Sequence, residues 1–209
     1  MSRLLIWRHG NTDWNAGNRV QGQTDVPLNA LGRQQAVDAA ELLIKMRPDA
    51  IVASDLHRAA DTAAALATLT GLPVTYDKRL RERFFGAWQG LTMTEVAAQH
   101  PEEHARWTAG QEIGGDVESL HDLGVRVAAA LEAAAALAPP GGTVVVATHG
   151  AAARQGIGQL LEWPPESLRT LRALQNCHWV ELTHDQRRGW QVAAYNVGPF
   201  TDRPAPPPV

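Results

Sequence analysis

The sequence predicts an α/β fold, a three-layer α/β/α sandwich around a mainly parallel central sheet. Three observations predict it. Short apolar runs recur at residues 4–7, 50–53 and 143–147, as expected for strands buried on both faces. Stretches with apolar residues at helical spacing separate them, which implies right-handed crossovers between parallel strands. The first and last of these runs each stop abruptly at a His-Gly pair, residues 9–10 and 149–150.

Taken in order, Leu4-Leu5-Ile6-Trp7 reads as a strand halted by Arg8-His9-Gly10. From Asn29, a capping residue type, Ala36, Val37, Ala40, Leu43 and Ile44 recur at helical spacing, with Pro48 beyond the end. Ala50-Ile51-Val52-Ala53 is the second strand, followed by Ser54-Asp55 and an alanine-rich helix to about Leu69 that Gly71 closes. Residues 74–76 read as a third strand. Residues 84–118 hold glycines, aromatics and two short helical stretches without a long apolar run, so about 91–118 is expected to be a helical insertion over the active site. Ser119 begins a helix to about Leu137, Pro139-Pro140-Gly141-Gly142 breaks it, and Thr143–Ala147 is the clearest strand in the chain. A helix near 151–161 and strand-like runs near 177–183 and 189–196 complete a single domain over 1–198. Residues 199–209 carry five prolines and read as a loose tail.

Composition narrows the function. With 209 residues, 44% hydrophobic and 20% charged, the chain is neither disordered nor fibrous in type. A formal charge of -3 and a pI near 6.2 provide no global basic field, so neither nucleic acid nor a membrane is expected as a partner, and any anion site must be a local concentration of cations. Only four apolar residues follow Met1-Ser2-Arg3 before Arg8-His9, too few for a signal peptide or a membrane span, and a cytoplasmic location is expected. The lone Cys177 has no partner for an intramolecular disulfide and reads as a buried structural thiol in a strand-like segment.

In doubly wound sheets, ligands collect at the carboxyl ends of strands. Arg8 and His9 follow the first strand, Arg58 opens the helix after the second, Glu82 follows the third, and His149 the fourth. Two guanidiniums, two imidazoles and glycine backbone, Gly150 included, are what a phosphate dianion needs, because arginine forks match its oxygens and glycine permits close approach. One imidazole, that of His9, can attack phosphorus in line and form a phosphohistidine. A single carboxyl group can protonate the leaving alkoxide and then deprotonate the incoming water, and Glu82 is the candidate. Arg8, Arg58 and His149 would stabilise the charge on the transferring group.

The stretch Arg8-His9-Gly10-Asn11-Thr12, with Trp14-Asn15 and Gln21-Gly22, resembles the R-H-G-x-T signature of the histidine phosphatase superfamily, in its phosphoglycerate mutase-like branch. Asp25-Val26-Pro27-Leu28 with Gly32, Ser54-Asp55-Leu56-His57-Arg58-Ala59 with Thr62-Ala63, Leu80-Arg81-Glu82 with Gly86-Ala87-Trp88-Gln89-Gly90, and His149-Gly150 follow in the family's order. The resemblance covers roughly residues 3–160. It implies His9 as phosphoryl acceptor, Glu82 as proton donor, and Arg8, Arg58 and His149 around the phosphate. It further implies Asn15 as a phosphate ligand and Thr12, Gln21 and Gly22 as pocket residues. It implies a small phosphorylated substrate, no metal, no organic cofactor, and a homodimer through the late strands. The chain departs from the family pattern at Gly114-Gly115-Asp116-Val117-Glu118-Ser119, where a compact Gly-Glu-Ser would be usual, so the loop beside His149 is expected to differ in shape.

Phosphatase and cofactor-dependent mutase share this chemistry. Mutases of that kind carry a longer insertion with an arginine pair, whereas here Arg106 is the only arginine between Trp88 and Ser119 and no lysine accompanies it, which favours hydrolysis of sugar phosphates or phosphoglycerate derivatives. A non-catalytic binding protein on the same fold is the further alternative, opposed by the filled catalytic positions. Phe84, Phe85, Trp14 and Trp88 could wall a sugar site or simply pack in the core. His100-Pro101-Glu102-Glu103-His104 matches H-x-x-E-H, a zinc pattern on a helix, but its polar surroundings and Pro101 in the first turn favour a solvated helix face. His57, His121, His178 and His184 read as structural or solvent-facing, and Asp13 and Asp55 as caps or turn residues.

Overall fold

A computed structural model describes residues 2–199; the tail beyond Pro199 lies outside the described residues. Its strands are β1 (Ser2–Arg8), β2 (Ala50–Ala53), β3 (Val74–Tyr76), β4 (Thr143–Thr148), β5 (Trp179–Asp185) and β6 (Gly189–Val197). Its helices are α1 (Asp13–Ala16), α2 (Ala30–Leu43), α3 (His57–Thr70), α4 (Met93–Gln99), α5 (Pro101–Thr108), α6 (Leu120–Ala135) and α7 (Gly150–Leu160). The six strands form one sheet in the order β3-β2-β4-β1-β5-β6. The first four strands pair in parallel and β5 and β6 are antiparallel, so the sheet is mainly parallel, with an antiparallel edge. After α7, a single-turn segment over Pro165–Thr170 returns the chain to the carboxyl end of β1, where Trp179 enters opposite Trp7.

The alternation of β1 explains the three layers, because successive side chains leave a strand on opposite faces. Leu4 and Ile6 join Val144 and Val146 in a core closed by Leu123, Val127 and Leu131 of α6 and Ile157 of α7. Leu5 and Trp7 join Val145 and Ala147 in a second core with Ala36, Ala40 and Leu43 of α2 and Leu66 of α3. Burial of each Leu, Ile or Val in these layers contributes about 2 kcal/mol of transfer free energy. Local signals set the helix ends. The Asn29 side chain accepts from Gly32 N at 2.9 Å, Ser119 accepts from Asp122 N at 3.0 Å, and Gly71 at φ 73° stops α3.

Two local expectations change. The strand expected from residue 177 begins at Trp179; Cys177 precedes it in a left-handed turn, φ 56°, and its N–H donates to Arg8 O at 3.0 Å. The H-x-x-E-H segment does not lie on one helix. His100, at φ −131° and ψ 55°, ends α4 and precedes Pro101, which opens α5. Helices α4 and α5 cover a third apolar cluster of Trp88, Val96 and Ile113. This unit is tied to the loop after α1, where Val20 N donates to Leu91 O at 2.9 Å and Gly90 N donates to Val20 O at 2.8 Å.

Candidate active site

Strand register brings the two histidines together. Arg8 pairs with Thr148 across parallel β1 and β4, so the next residue on each strand, His9 and His149, emerges at the same level. Their ring centroids are 5.2 Å apart and tilted by 59°. Both are buried, at 2% and 0% exposure. Ser54 leaves β2 beside them, its N–H donating to Ala147 O at 2.9 Å, and four residues later Arg58 enters from the first turn of α3, fully buried.

Hydrogen bonding orients each group. His9 Nδ1–H donates to Gly10 O at 2.7 Å, which leaves the lone pair on Nε2. The His9 carbonyl accepts from Asn176 Nδ2 at 2.9 Å, and Gly10 N donates to Thr62 Oγ1 at 3.0 Å. Gly10 and Gly32 meet so closely that a Cβ on Gly10 would fall on the Gly32 carbonyl, so glycine is required where the His9 turn crosses α2. His149 Nε2 lies 2.9 Å from Ser54 Oγ. Because Ser54 Oγ also lies 3.4 Å from Leu56 N as an acceptor, its O–H is free to donate to Nε2. We therefore assign the Nδ1–H tautomer to His149.

The electrostatics are strongly positive. Burial first, then Arg58 and Arg8, hold the His9 imidazole well below the ordinary histidine value. Burial, Arg58, His9, Arg8 and Arg126 do the same to His149. Both rings are therefore neutral at pH 7. Burial pushes Arg58 down to about 10, against the opposing pull of Glu82 and Asp25. Burial likewise lowers Arg8, with Glu82 opposing. Arg58 Nη1 and Nη2 donate to Thr24 O and Gly22 O at 2.8 and 2.7 Å, and Arg8 Nη1 donates to Leu174 O at 2.5 Å. Arg8 Nε, Arg58 Nε and His149 Nδ1 are buried without a hydrogen-bond partner among the described residues.

Glu82 sits at the start of α7. Its Oε1 accepts from Arg83 N and Ala152 N, each at 2.9 Å, and its Oε2 from Ala151 N at 3.2 Å. The carboxyl group thus supplies the cap that His149 does not, beside Gly150, whose Cα faces Arg8 Nε closely enough that a Cβ would lie 3.5 Å from it. Among the described residues no group of three or more His, Cys, Asp or Glu is placed to hold a metal ion.

The comparisons with known proteins agree with this geometry. A family model for the histidine phosphatase superfamily (branch 1) matches residues 4–198. The chain belongs to the histidine phosphatase superfamily. A glucosyl-3-phosphoglycerate phosphatase of Mycolicibacterium vanbaalenii is 40% identical over 205 residues, 92% of this chain and 89% of the relative. A solved mycobacterial glucosyl-3-phosphoglycerate phosphatase, complexed with VO3, superposes with a TM-score of 0.83 at 37% identity, covering 94% of this chain and 99% of that one. A probable phosphoglycerate mutase GpmB of Yersinia enterocolitica is 32% identical over 98% of this chain and 97% of its own.

Within this member of the superfamily, the remaining sequence candidates serve one another. The Thr12 hydroxyl accepts from Asn15 N at 3.1 Å, and Asn15 Oδ1 accepts from Thr12 N at 3.2 Å. Thr12 Oγ1 donates to Gln21 Oε1 at 3.1 Å. The Asn15 carbonyl oxygen is thus engaged, which leaves its NH2 as the end available to a ligand. Gly22 adopts φ +52°, and its carbonyl holds Arg58. Of the four aromatics, Trp88 is buried and stacks with Phe85, centroids 6.4 Å apart, so these two pack in the satellite core. Phe84 is exposed. His57 pairs with Asp25 at the surface, and Asp55 forks onto Arg81 at 2.7 and 2.6 Å. The altered 114–119 loop makes its contacts at Phe84 and Gly86: Glu118 N donates to Phe84 O at 2.9 Å, and Asp116 fills the space a Gly86 side chain would need.

Sequence reasoning did not select Ser54, Thr62 or Asn176 as site residues. Ser54 and Thr62 stood in the motif stretch, and a strand-end position was the available signal for Ser54. Nothing local marked Asn176, which reaches His9 through the left-handed turn at Cys177. A cavity of about 520 Å3, walled by Trp107, Arg154, Trp163 and Leu168, includes none of the clustered His and Arg side chains of the site. A smaller cleft of about 300 Å3 opens at Arg8 itself, beside Gln35, Gln175, Asn176 and His178.

Proposed function

We propose that this chain hydrolyses phosphomonoesters of small metabolites through a phosphohistidine on His9, and that residues 1–198 act as one catalytic unit. The observation that carries the reading is the pair of buried neutral imidazoles 5.2 Å apart among two buried guanidiniums. Buried cations with little acidic compensation favour an anionic partner, and Arg8 Nε, Arg58 Nε and His149 Nδ1, without a partner among the described residues, are the donors for a phosphate dianion, with the Asn15 amide as a further one.

In the first step His9 Nε2 attacks phosphorus, the P–N bond forms and the P–O bond to the organic group breaks. Glu82 gives its proton to the departing alkoxide; Oε2, with its single contact at 3.2 Å, is the oxygen that carries it. In the second step water attacks phosphorus, its proton passes to Glu82, and the P–N bond breaks to release inorganic phosphate and neutral His9. Arg8, Arg58 and His149 offset the charge on the transferring oxygens throughout. No step requires a metal or an organic cofactor.

Sugar phosphates and phosphoglycerate derivatives are the proposed substrates, with the names of the 40% identical relatives as support and the amide-lined cleft at Arg8 as a place for a hydroxylated group. A mutase reading rests on the GpmB relatives. Against it, Arg106 is the sole arginine of residues 89–118, and it packs against Gly114 of its own segment. We further propose a cytoplasmic protein that forms a homodimer through its late strands and binds no nucleic acid; no helix among the described residues is long and apolar enough to cross a membrane.

The test is phosphate release from p-nitrophenyl phosphate and from a panel of sugar phosphates and phosphoglycerates with EDTA present, run beside an exchange assay between 2- and 3-phosphoglycerate. Hydrolysis that EDTA leaves intact and that His9→Ala abolishes is the expected result. Chelator-sensitive turnover, or His9→Ala at near wild-type rate, would overturn the mechanism.

A further inference from the structure

The segment that carries Glu82 is held by a guanidinium from another layer. Arg126, on α6, donates from Nη1 to Arg79 O and Arg81 O, each at 2.7 Å, and from Nη2 to Glu82 O at 2.9 Å. Its Nε and Nη2 donate to the Glu118 carboxylate at 2.6 and 2.8 Å. All five donors of the side chain are thereby engaged, three of them on consecutive turns of one short backbone stretch. Glu118 completes the clamp. Its Oε2 also accepts from Phe84 N at 3.1 Å, and its carbonyl accepts from Arg83 Nε at 2.7 Å. The backbone on both sides of Glu82 is therefore stitched to Arg126 and to Glu118, the latter in the 114–119 loop.

We propose that Arg126, with Glu118 as its counter-ion, is a positioning residue for Glu82. It fixes the Arg79–Glu82 backbone so that the carboxyl group stays on the start of α7, within reach of the leaving oxygen. The inference rests on the reading of Glu82 as proton donor. Lysine cannot replace the arginine here, because an ammonium is a compact point charge that cannot bridge three carbonyls and fork onto a carboxylate in one plane.

The experiment is a leaving-group series of substituted phenyl phosphates, from p-nitrophenyl to unsubstituted phenyl, with wild type, Glu82→Gln, Arg126→Lys, Glu118→Gln and the double variant Glu82→Gln/Arg126→Lys. Loss of a proton donor slows poor leaving groups selectively, and general acid catalysis is worth about 100-fold or more. A misplaced acid should therefore cost Arg126→Lys about tenfold more kcat on phenyl phosphate than on p-nitrophenyl phosphate, with KM little changed. In the Glu82→Gln background Arg126→Lys should add no further leaving-group dependence. Thermal melts accompany the kinetics, and Glu118→Gln carries the test if Arg126→Lys does not fold. Equal losses across the series in the clamp variants, or a selective loss that persists without Glu82, would overturn the positioning role while leaving the mechanism standing. A uniform loss in Glu82→Gln alone would overturn the proton-donor reading and the inference with it.

Discussion

Replacing Ser54 with alanine tests the most exposed link in the site, the bond that selects a tautomer for His149. Ser54 and His149 are both at 0% exposure, so no water is positioned by default to take over the 2.9 Å contact between Ser54 Oγ and His149 Nε2. Net loss of a buried hydrogen bond costs about 1 kcal/mol. Without the hydroxyl donor, the ring is also free to place its proton on Nε2, which would turn a lone pair instead of an N–H toward the phosphate. That second effect falls on the transition state, where three oxygens share the charge, and we put the sum at about 1.5–3 kcal/mol, a fall in kcat/KM of about 10- to 150-fold. The fold should survive, because only one oxygen atom is removed from a site that keeps its packing. Turnover of p-nitrophenyl phosphate gives the kinetic loss, and nitrogen NMR of labelled histidine in wild type and variant reports the tautomer directly. Activity within twofold of wild type, or an Nε2–H tautomer already present in wild type, would refute the reasoning.

Four further outcomes are expected. His9→Ala should leave the circular dichroism spectrum unchanged and remove the acid-labile phosphoenzyme detectable by rapid quench with labelled substrate. Lowering the pH below about 6.5 should destabilise the fold: the native values of His9 and His149 are depressed by burial and by the neighbouring arginines, so the unfolded chain takes up protons that the native one refuses. Each ring contributes a slope of about 1.4 kcal/mol per pH unit between its unfolded and native values, and denaturant titrations at several pH values should show a shallower slope in His149→Gln. Gly32→Ala would drive a Cβ onto the Asn11 carbonyl oxygen and within 2.6 Å of Asn11 N; a backbone clash of this kind should cost about 3 kcal/mol, or about 6–12 °C in Tm for a chain of this size. Cys177, 1% exposed with its thiol pushed up to about 12 by burial, should resist iodoacetamide in the native state and react only on denaturation.

The parts of this protein legible in its sequence are those where one residue type answers one local demand. The continuous apolar runs at 4–7 and 143–147 had to be strands covered on both faces, and the cap at Asn29 and the stop at Gly71 follow from short-range geometry. The His-Gly pairs could be placed at one site because parallel strands in register deliver their next residues side by side. What sequence could not supply was the long-range bonding that turns a cluster into a site. Asn176 reaches the His9 carbonyl because Cys177 turns left-handed, and no pattern in Gln175-Asn176-Cys177-His178 announces that. Phe85 and Trp88 flank motif residues, yet they pack under α4 and α5, since a small insertion must build its own core from whatever aromatics lie near. Arg126 lies in an ordinary helical stretch, and nothing local announces that its five donors meet the Arg79–Glu82 carbonyls and Glu118.

In the proposed mechanism the two arginines of the site would act on the histidines as well as on the substrate. Burial first, and then the potential of the neighbouring guanidiniums, opposes protonation of His9 and His149. A protonated His9 would have no lone pair to attack with, so on the proposed mechanism the cations that would bind the dianion would also help to keep the nucleophile ready. The substrate then changes the field it meets: once the dianion offsets Arg8 and Arg58, protonation of the imidazoles becomes less unfavourable. In the proposed mechanism His149 Nδ1–H would donate to the phosphoryl oxygens as charge builds on them, while the Ser54 hydroxyl, 2.9 Å from Nε2, holds the far nitrogen unprotonated. On His9 the bond from Nδ1–H to Gly10 O at 2.7 Å works against burial and the arginines, favouring positive charge on the ring, so in the proposed mechanism it would steady the imidazole as Nε2 bonds to phosphorus. Two like residues, delivered side by side by one register, are thus fitted for the different roles proposed for them because their second nitrogens face a carbonyl in one case and a hydroxyl in the other.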